Sequence, residues 1–419
     1  MSDTDQTAAP TAAPQVDPRL VLAQGGVRGY LREFWRRIRG GELGSIPVVV
    51  GLIVIWAIFQ SLNSGFLSPS YLTELSINIV ATGMLATGIV FVLLLGEIDL
   101  SIGSVSSASA AIVAVANQSW GLSEGLSILV AVAAGLVMGF IHGFFFAKVG
   151  VPAFIVTLAG LLGWLGVSLW VLGKTGSYNL TNSTGLIDRL SGTYFEEVFW
   201  AYLVAIVVAV VYFAVTLWGS VQRRRAGVPA RSVTEVVVRS VLLAVVLLAV
   251  AVVFNQARGL PLAPMIFLAF ILIANFVLKH TGYGRKVFAV GGSVEAARRA
   301  GINVAAIRMS VYAVSGTMAA IGGVFYASVN RGVTQSGTGQ QILMYAIAAA
   351  VIGGTSLFGG RGSAFSALLG VLVIQSIAAG MNLLGITNYA QYMVTGVVLL
   401  AAVVIDSVSR RSQKASGRA

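Results

Sequence analysis

The chain has 419 residues, of which 57% are hydrophobic and only 10% are charged, and its formal net charge is +12. Soluble domains are about 45–50% apolar and about 25% charged, so the composition excludes an ordinary soluble domain. The basic residues bracket long apolar segments rather than covering one face. This pattern is typical of the cytoplasmic loops of a membrane protein and argues against a nucleic-acid-binding surface.

The chain divides into a polar start, an apolar body and a basic end. Residues 1–42 contain no apolar core followed by a small-residue cleavage site, and they predict a disordered, basic cytoplasmic tail without a cleavable signal peptide. Residues 43–407 are predicted to form a transmembrane domain. Residues 408–419 are predicted to form a second basic cytoplasmic tail. This tail either is solvated or contacts anionic lipid at the membrane surface.

The apolar body predicts an all-α, polytopic transmembrane helical bundle of about 10–12 spans, because a helix needs about 20 apolar residues to cross the bilayer. Two segments, beginning at Ile102 and Ile342, are short and rich in small residues, which predicts broken or half-helices. Alternating the spans from an inside Arg28–Arg39 cluster places the other basic loops inside and predicts that both termini are cytoplasmic. The predicted spans are Ile46–Leu62, Leu75–Leu95, Ile102–Asn117, Leu126–Ala147, Ala153–Leu172, Val198–Trp218, Ser240–Phe254, Pro261–Leu278, Met309–Val329, Ile342–Phe358, Ser363–Leu384 and Tyr392–Ile405.

Glycines recur every fourth residue in the fourth span, at Gly135, Gly139 and Gly143. Small residues at this spacing line one helix face and let a second backbone approach closely. The stripe therefore predicts tight helix packing and carries no information on a substrate.

Two carboxylates, Glu97 and Asp99, lie between the second and third apolar segments. Residues two apart do not share a helix face, so a break in the helix is predicted, with Gly96 left-handed at the end of the first segment. Asp99 or Ser101 then caps the next segment. A simple cap with Glu97 at the interface and a gate in a transport pathway are both open interpretations.

The loop at residues 280–308 is the longest predicted cytoplasmic loop with a helical pattern of its own. Ser293 is predicted to cap a short helix over Val294–Ala300, which Gly301 ends. Glu295 and Arg299 are spaced for an ion pair. The helix either docks in a groove of a partner or is an ordinary amphipathic connector.

Catalytic motifs are absent from the sequence. The two histidines, His142 and His280, lack metal-ligand spacing, and His142 is interpreted as a packed helix residue. Gly173-Lys174-Thr175 resembles the end of a phosphate-binding loop, but Ser168 occupies the position of the required glycine. We predict no metal, no cofactor and no ATP hydrolysis by this chain, which is therefore not an enzyme.

Four stretches resemble the permeases of the ribose, xylose and galactose family of sugar ABC importers, and the resemblance extends over about Leu43 to Asp406. Glu97 and the extra pair of spans in Val198–Phe254 make the chain most similar to the xylose-type members. The four stretches are 96–104, 151–160, 283–303 and 351–362.

The resemblance implies a bacterial inner-membrane, multi-pass permease subunit that moves a monosaccharide by alternating access. Its partners would be a cytoplasmic ATP-binding subunit, a periplasmic sugar-binding protein, a second permease chain in a homodimer, and membrane lipid, with no nucleic acid. Residues that would couple the chain to the ATPase are Arg285, Glu295, Ala296, Ala297, Arg298, Gly301 and Asn303. Pathway or gate candidates are Glu97, Asp99, Ser101, Thr157, Asn330, Gln335 and Asn382.

An ion-coupled secondary transporter is the alternative function. Glu97 and Asp99 would then be its coupling residues, because carboxylates inside a bilayer are costly and are usually functional. The need for an ATP-binding partner or for an ion gradient separates the two interpretations.

Overall fold

The computed structural model describes residues 46–180, 185–228, 230, 232–335 and 339–415. It divides into two compact units, one formed by Gly44–Val198 and Val253–Ala419 and one that includes Phe199–Val252. The predicted tail at residues 1–42 lies outside the described residues, so its disorder stays a prediction.

Helices account for nearly all of the described secondary structure. A π-helical turn, Phe145–Val149, follows the fourth helix, and a 3-10 turn, Gly173–Thr175, follows the fifth. In chain order the helices are α1 (Ile46–Leu62), α2 (Pro69–Leu94), α3 (Ile102–Gln118), α4 (Glu124–Phe144), α5 (Ala153–Leu172), α6 (Leu186–Gly192), α7 (Val198–Arg225), α8 (Val233–Gln256), α9 (Leu262–His280), α10 (Gly282–Gly292), α11 (Val294–Arg299), α12 (Val304–Val329), α13 (Gly339–Ile352), α14 (Ala364–Leu383) and α15 (Asn388–Ala415).

The predicted spans correspond to helices in every case. Within the described ranges, eight helices are long and apolar enough to cross a membrane, which confirms the polytopic helical bundle. Helices α3 and α13 have 17 and 14 residues, as the prediction of short helices requires. Several bounds differ from prediction by four residues or more, and two of them matter below: α13 ends at Ile352 because left-handed Gly354 (φ 98°) follows, and α15 continues to Ala415. The predicted tail at 408–419 therefore begins inside a helix.

Helices α2 and α12 lie at the centre of the larger unit. Every residue from Ile79 to Leu95 is buried, and α12 packs against α2, α3 and α4. Continuous burial of a helix on all sides is typical of the interior of a large bundle. The side chains of Ile79–Leu94 on α2 are therefore held by protein on every side, whereas α12 buries mainly the face that it turns toward α2, α3 and α4.

The glycine stripe of α4 faces α12, as predicted. A Cβ atom on Gly139 would collide with the carbonyl oxygen of Tyr312, and one on Gly143 would lie 2.7 Å from the Cα of Met309. The same holds for Gly316 on α12, because a Cβ atom on this residue would collide with the carbonyl oxygen of Gly135. The two backbones are in direct contact along three turns.

Short strands mark one end of the bundle. The strands are β1 (Ser177–Asn179), β2 (Tyr194–Phe195), β3 (Leu260–Pro261) and β4 (Gly332–Thr334). Strand β1 pairs antiparallel with β4, and β2 pairs antiparallel with β3. We call this the sheet end and the end that carries α10 and α11 the loop end. The 26 residues of α12 separate α11 from β4, a length of about 39 Å at 1.5 Å per residue.

The second unit contains most of α7 and α8, which are joined by an arginine-rich segment. Arg223, Arg224 and Arg225 form the last turn of α7. In α8, Arg239 pairs with Glu235 one turn earlier at 2.8 Å. Charge in the described part of this unit is thus concentrated in the last turn of α7 and the first two turns of α8, a pattern typical of a loop at a membrane surface.

Candidate functional site

The break between α2 and α3 is the main irregular feature at the loop end. Gly96 adopts φ 79°, so the predicted left-handed end of the first segment is confirmed. Its Cα faces the backbone of Phe358 and Gly359, and the Gly360 amide donates to the Leu94 carbonyl at 2.9 Å. The break is therefore held by a second glycine-rich turn, between α13 and α14.

Asp99 is buried inside this break and accepts hydrogen bonds on both oxygens. Its side chain is 2% exposed. Oδ1 accepts from the Ser101 backbone amide at 2.9 Å and from the Ser101 hydroxyl at 2.5 Å, while Oδ2 accepts from the Ser315 hydroxyl of α12 at 2.8 Å. Ser101 occupies the N-cap position of α3 without capping it through its side chain. The carboxylate thus joins the break to α12.

His142 extends this network to two more helices, α4 and α5. The sequence predicts it only as a packed helix residue. It is 3% exposed, and its Nδ1 lies 3.2 Å from the Ser101 hydroxyl. The Trp164 indole of α5 donates to its Nε2 at 2.8 Å. We call Asp99, Ser101, His142, Trp164 and Ser315 the polar chain; it connects the α2–α3 break with α4, α5 and α12.

The order of groups in the polar chain does not fit a serine nucleophile. In a hydrolytic triad the histidine lies between serine and aspartate and takes the serine proton. Here Ser101 lies between His142 and Asp99 and is 0% exposed. A substrate carbonyl has no approach to its hydroxyl, so the arrangement positions helices rather than performing catalysis.

One face of α5 could have revealed the histidine contact from sequence. Thr157, Gly160 and Trp164 recur at i, i+3 and i+7, which places them on one helix face. A Cβ atom on Gly160 would collide with the His142 ring, so the missing side chain makes room for it. Thr157, one of the pathway candidates, is 0% exposed, and its hydroxyl donates to the Ala153 carbonyl at 3.0 Å. A glycine between two polar residues on one face was the available signal.

Glu97 lies apart from the polar chain and is half-buried. Burial raises the pKa of its carboxyl, and the guanidinium of Arg308 opposes this shift. Arg308 itself stacks over the Phe146 ring, with its Cζ 4.3 Å from the ring centroid. Glu97 and Asp99 thus point into different surroundings, as their spacing predicts.

The remaining pathway candidates lie far from the break. Asn330 is the C-cap of α12, and Gln335 donates to the Gly173 carbonyl at 2.9 Å. Asn382, in the last turn of α14, accepts from Gln391 at 2.5 Å. All three are exposed. The seven candidates therefore do not form one site, and their role in a pathway stays a prediction.

A small cleft at the sheet end contains one of these candidates, Gln335. Hydroxyl, amide and apolar side chains line it, and such groups can contact a neutral polar solute without a charge. The lining residues are Ser106, Ser107, Ala110, Leu165, Ser168, Tyr326, Val333, Thr334, Gln335 and Ile342.

The loop end presents the short helix that the sequence predicts. The Ser293 hydroxyl accepts from the Ala296 amide at 3.3 Å, and Gly301 adopts φ 76° after Arg299 ends α11, so both predicted signals are confirmed. Asn303 caps α12 by accepting from the Ala306 amide at 3.0 Å. Each end of α11 is therefore fixed by its own sequence.

Exposure separates the predicted coupling residues into an anchor and an outer surface. Ala297 is 2% exposed and packs into the core, whereas Glu295, Ala296 and Arg298 are exposed. Arg285, on α10, is exposed as well.

The predicted ion pair between Glu295 and Arg299 is wrong. Among the described residues no such pair forms, because both side chains extend into solvent, where an ion pair has little net stability. The charges on α11 therefore remain available to a partner.

The role of Ser315 in holding Asp99 can be measured directly. We expect Ser315→Ala to lower the free energy of unfolding by about 1–3 kcal/mol, because a buried carboxylate oxygen loses its donor. Thermal unfolding in mild detergent measures this change. Thr317→Ala is the matched control, since that hydroxyl donates only to the Ala313 carbonyl of its own helix. Equal melting temperatures for both variants would contradict the role of Ser315.

These features define a class. Among the described residues, eight helices are long and apolar enough to cross a membrane, which is typical of a multi-pass membrane protein. The model of the family described as the branched-chain amino acid transport system / permease component matches residues 71–403, and the chain belongs to this family. It is a transport subunit and not an enzyme, as predicted.

Several relatives resemble the chain over most of its length. The xylose transport system permease protein of Haemophilus influenzae is 33% identical over 90% of this chain and 99% of its own length. The xylose permease of Escherichia coli K12 is 34% identical, with coverages of 87% and 92%. The ribose import permease of Bacillus subtilis is 30% identical, with coverages of 87% and 94%. No solved structure matches the chain.

Proposed function

We propose that this chain is the membrane-spanning permease subunit of an ATP-driven importer for a monosaccharide, xylose or a related pentose or hexose. The observation that carries the proposal is the identity of 33–34% to xylose transport permeases over nearly the full length of both chains. Nothing in the described residues favours the ion-coupled alternative. The proposed site of action is the bacterial inner membrane, with both termini in the cytoplasm.

The loop end is proposed to dock the ATP-binding subunit. Short amphipathic helices bind partners by laying one face into a groove. Glu295, Ala296 and Arg298 supply such a face, while buried Ala297 ties it to the bundle. The hydroxyl of Tyr283 on α10 lies 3.0 Å from that of Ser310 on α12. Movement of the docked helix would reach the long central helix through this contact.

The sheet end is proposed to face the periplasm and receive the sugar from a sugar-binding protein. The cleft lined by Ser106, Ser168 and Tyr326 offers hydroxyls beside an aromatic ring. Neutral sugars are recognised by such combinations and need no charged partner. Weak contacts of this kind suit a conduit, because tight binding would slow release.

A second copy of the chain and membrane lipid are proposed to cover the outer helices. Trp170 is 81% exposed and Leu162 is 65% exposed, although both side chains are apolar. Such residues need a protein partner or hydrocarbon around them. Two copies would enclose the pathway between them, and ATP-driven closure of the ATPase would alternate its access.

Affinity purification of the tagged chain from its native membrane in mild detergent tests this assignment. We expect an ATP-binding subunit to be recovered with two copies of the permease, and ATP hydrolysis by the complex to rise with the sugar-binding protein. Recovery of the permease without any ATP-binding subunit would contradict the proposal.

A further inference from the structure

The proton positions in the polar chain follow from its donors. An indole nitrogen can only donate, so His142 Nε2 accepts from Trp164, and the single proton of the neutral ring lies on Nδ1. Nδ1 then donates to the Ser101 hydroxyl, whose own proton points to Asp99. Each group therefore donates to the next, in the order Trp164, His142, Ser101 and the Asp99 carboxylate. The Ser315 hydroxyl donates to the second oxygen of that carboxylate.

The polar chain joins different helices rather than satisfying polar groups within one helix. Its four helix or loop segments are far apart in sequence: residues 99–101, 142, 164 and 315. Buried hydrogen-bond networks polarise one another and specify a single arrangement of the elements that they join. A shift of any of these elements breaks at least one bond.

The elements joined by the polar chain also contact the loop end from two sides. The break is bonded to the turn after α13 through the Gly360 amide and the Leu94 carbonyl, and Gly291 of α10 packs against that carbonyl. On the other side, Tyr283 of α10 contacts Ser310, which precedes Ser315 on α12 by five residues. A displacement of α10 and α11 therefore reaches Asp99 through both the break and α12.

We propose that the polar chain is a coupling latch in which His142 is the positioning residue. The latch makes α4 and α5 follow the α2–α3 break and α12 when the loop end moves. This inference rests on the proposed function. Loss of the latch would let the ATPase cycle without moving the transport helices, so ATP hydrolysis would continue while sugar uptake falls.

The test compares sugar uptake and ATP hydrolysis in the same proteoliposomes, which contain the permease, its ATP-binding subunit and the sugar-binding protein with xylose. For His142→Leu, which removes both ring nitrogens, we expect the amount of xylose moved per ATP to fall about tenfold, within the usual range of coupling between sites. His142→Asn keeps a donor toward Ser101 and should recover most of this ratio. His280→Leu, at the exposed end of α9, is the control and should leave the ratio unchanged.

A second variant and a second measurement keep the test decisive. If His142→Leu does not fold, Trp164→Phe removes only the indole donor and should lower the ratio about threefold. Hydrogen exchange of residues 96–106 in the purified permease is independent of transport. We expect faster exchange there in His142→Leu or Trp164→Phe than in the wild type, with no change in α14.

The outcomes separate the latch from the proposed function. An unchanged ratio of xylose to ATP, or a parallel loss of both activities that the His142→Asn variant does not relieve, would overturn the latch. If the wild-type complex moves neither xylose nor another pentose or hexose with ATP, the proposed function fails, and the exchange measurement alone decides whether the polar chain holds the break. Unchanged exchange in that case also overturns the latch.

Discussion

Gly139→Leu should strongly destabilise the fold of the permease. The Cβ atom of the new side chain would collide with the carbonyl oxygen of Tyr312 and would lie 3.1 Å from the Cα of Gly316. A backbone atom of a central helix cannot rotate away as a side chain can, so α4 and α12 must separate. Overpacked cores lose about 1–3 kcal/mol and occasionally more, and we expect the upper end, about 3 kcal/mol.

The measurement is the yield of monodisperse protein in detergent and its melting temperature. Gly163→Leu is the matched control, because a Cβ atom at this position in α5 would meet nothing within 4 Å. That variant should melt at or above the wild-type temperature, since leucine favours a helix over glycine by nearly 1 kcal/mol. A Gly139→Leu protein as stable as Gly163→Leu would show that α4 and α12 are not in backbone contact.

Charge reversal at Glu295 should disconnect the permease from its ATP-binding subunit without unfolding it. Glu295 is exposed on α11, so Glu295→Arg costs the fold little, but it inverts a charge in the proposed docking face. Like charges across an interface are strongly unfavourable. We expect the recovery of the ATP-binding subunit to fall at least about tenfold, which corresponds to about 1.4 kcal/mol.

Quantitative co-purification measures this loss, with xylose uptake in whole cells as the second readout. Glu197→Arg is the matched control, because Glu197 is exposed and follows β2 at the sheet end. It should leave the ATP-binding subunit in place. Normal recovery with Glu295→Arg, together with normal uptake, would place the docking surface elsewhere.

The helices were predictable because their signals are local. An apolar run of about 20 residues predicts a span without knowledge of its neighbours. The left-handed conformation of Gly96, the helix end at Gly301 and the Ser293 cap rest on equally local signals and are confirmed. The end of α13 was placed six residues too late, since the apolar character continues to Phe358 after Gly353 and Gly354 have broken the helix.

The polar chain was only partly predictable because its contacts join distant parts of the sequence. Asp99 and Ser101 were recognised by their position between apolar segments. Ser315 and His142 carry no local mark of their partner, and Trp164 is marked only by the helix face that it shares with Gly160. Their meeting depends on how α4, α5 and α12 cross, which is fixed by the glycine contacts rather than by any motif.

The energy source for transport is the most direct test of the whole account. The purified permease, reconstituted with its ATP-binding subunit and sugar-binding protein, should accumulate xylose only when ATP is supplied, and dissipating proton and sodium gradients should not reduce the uptake. Uptake that needs an ion gradient, proceeds without the ATP-binding subunit and is lost on Asp99→Asn would contradict it.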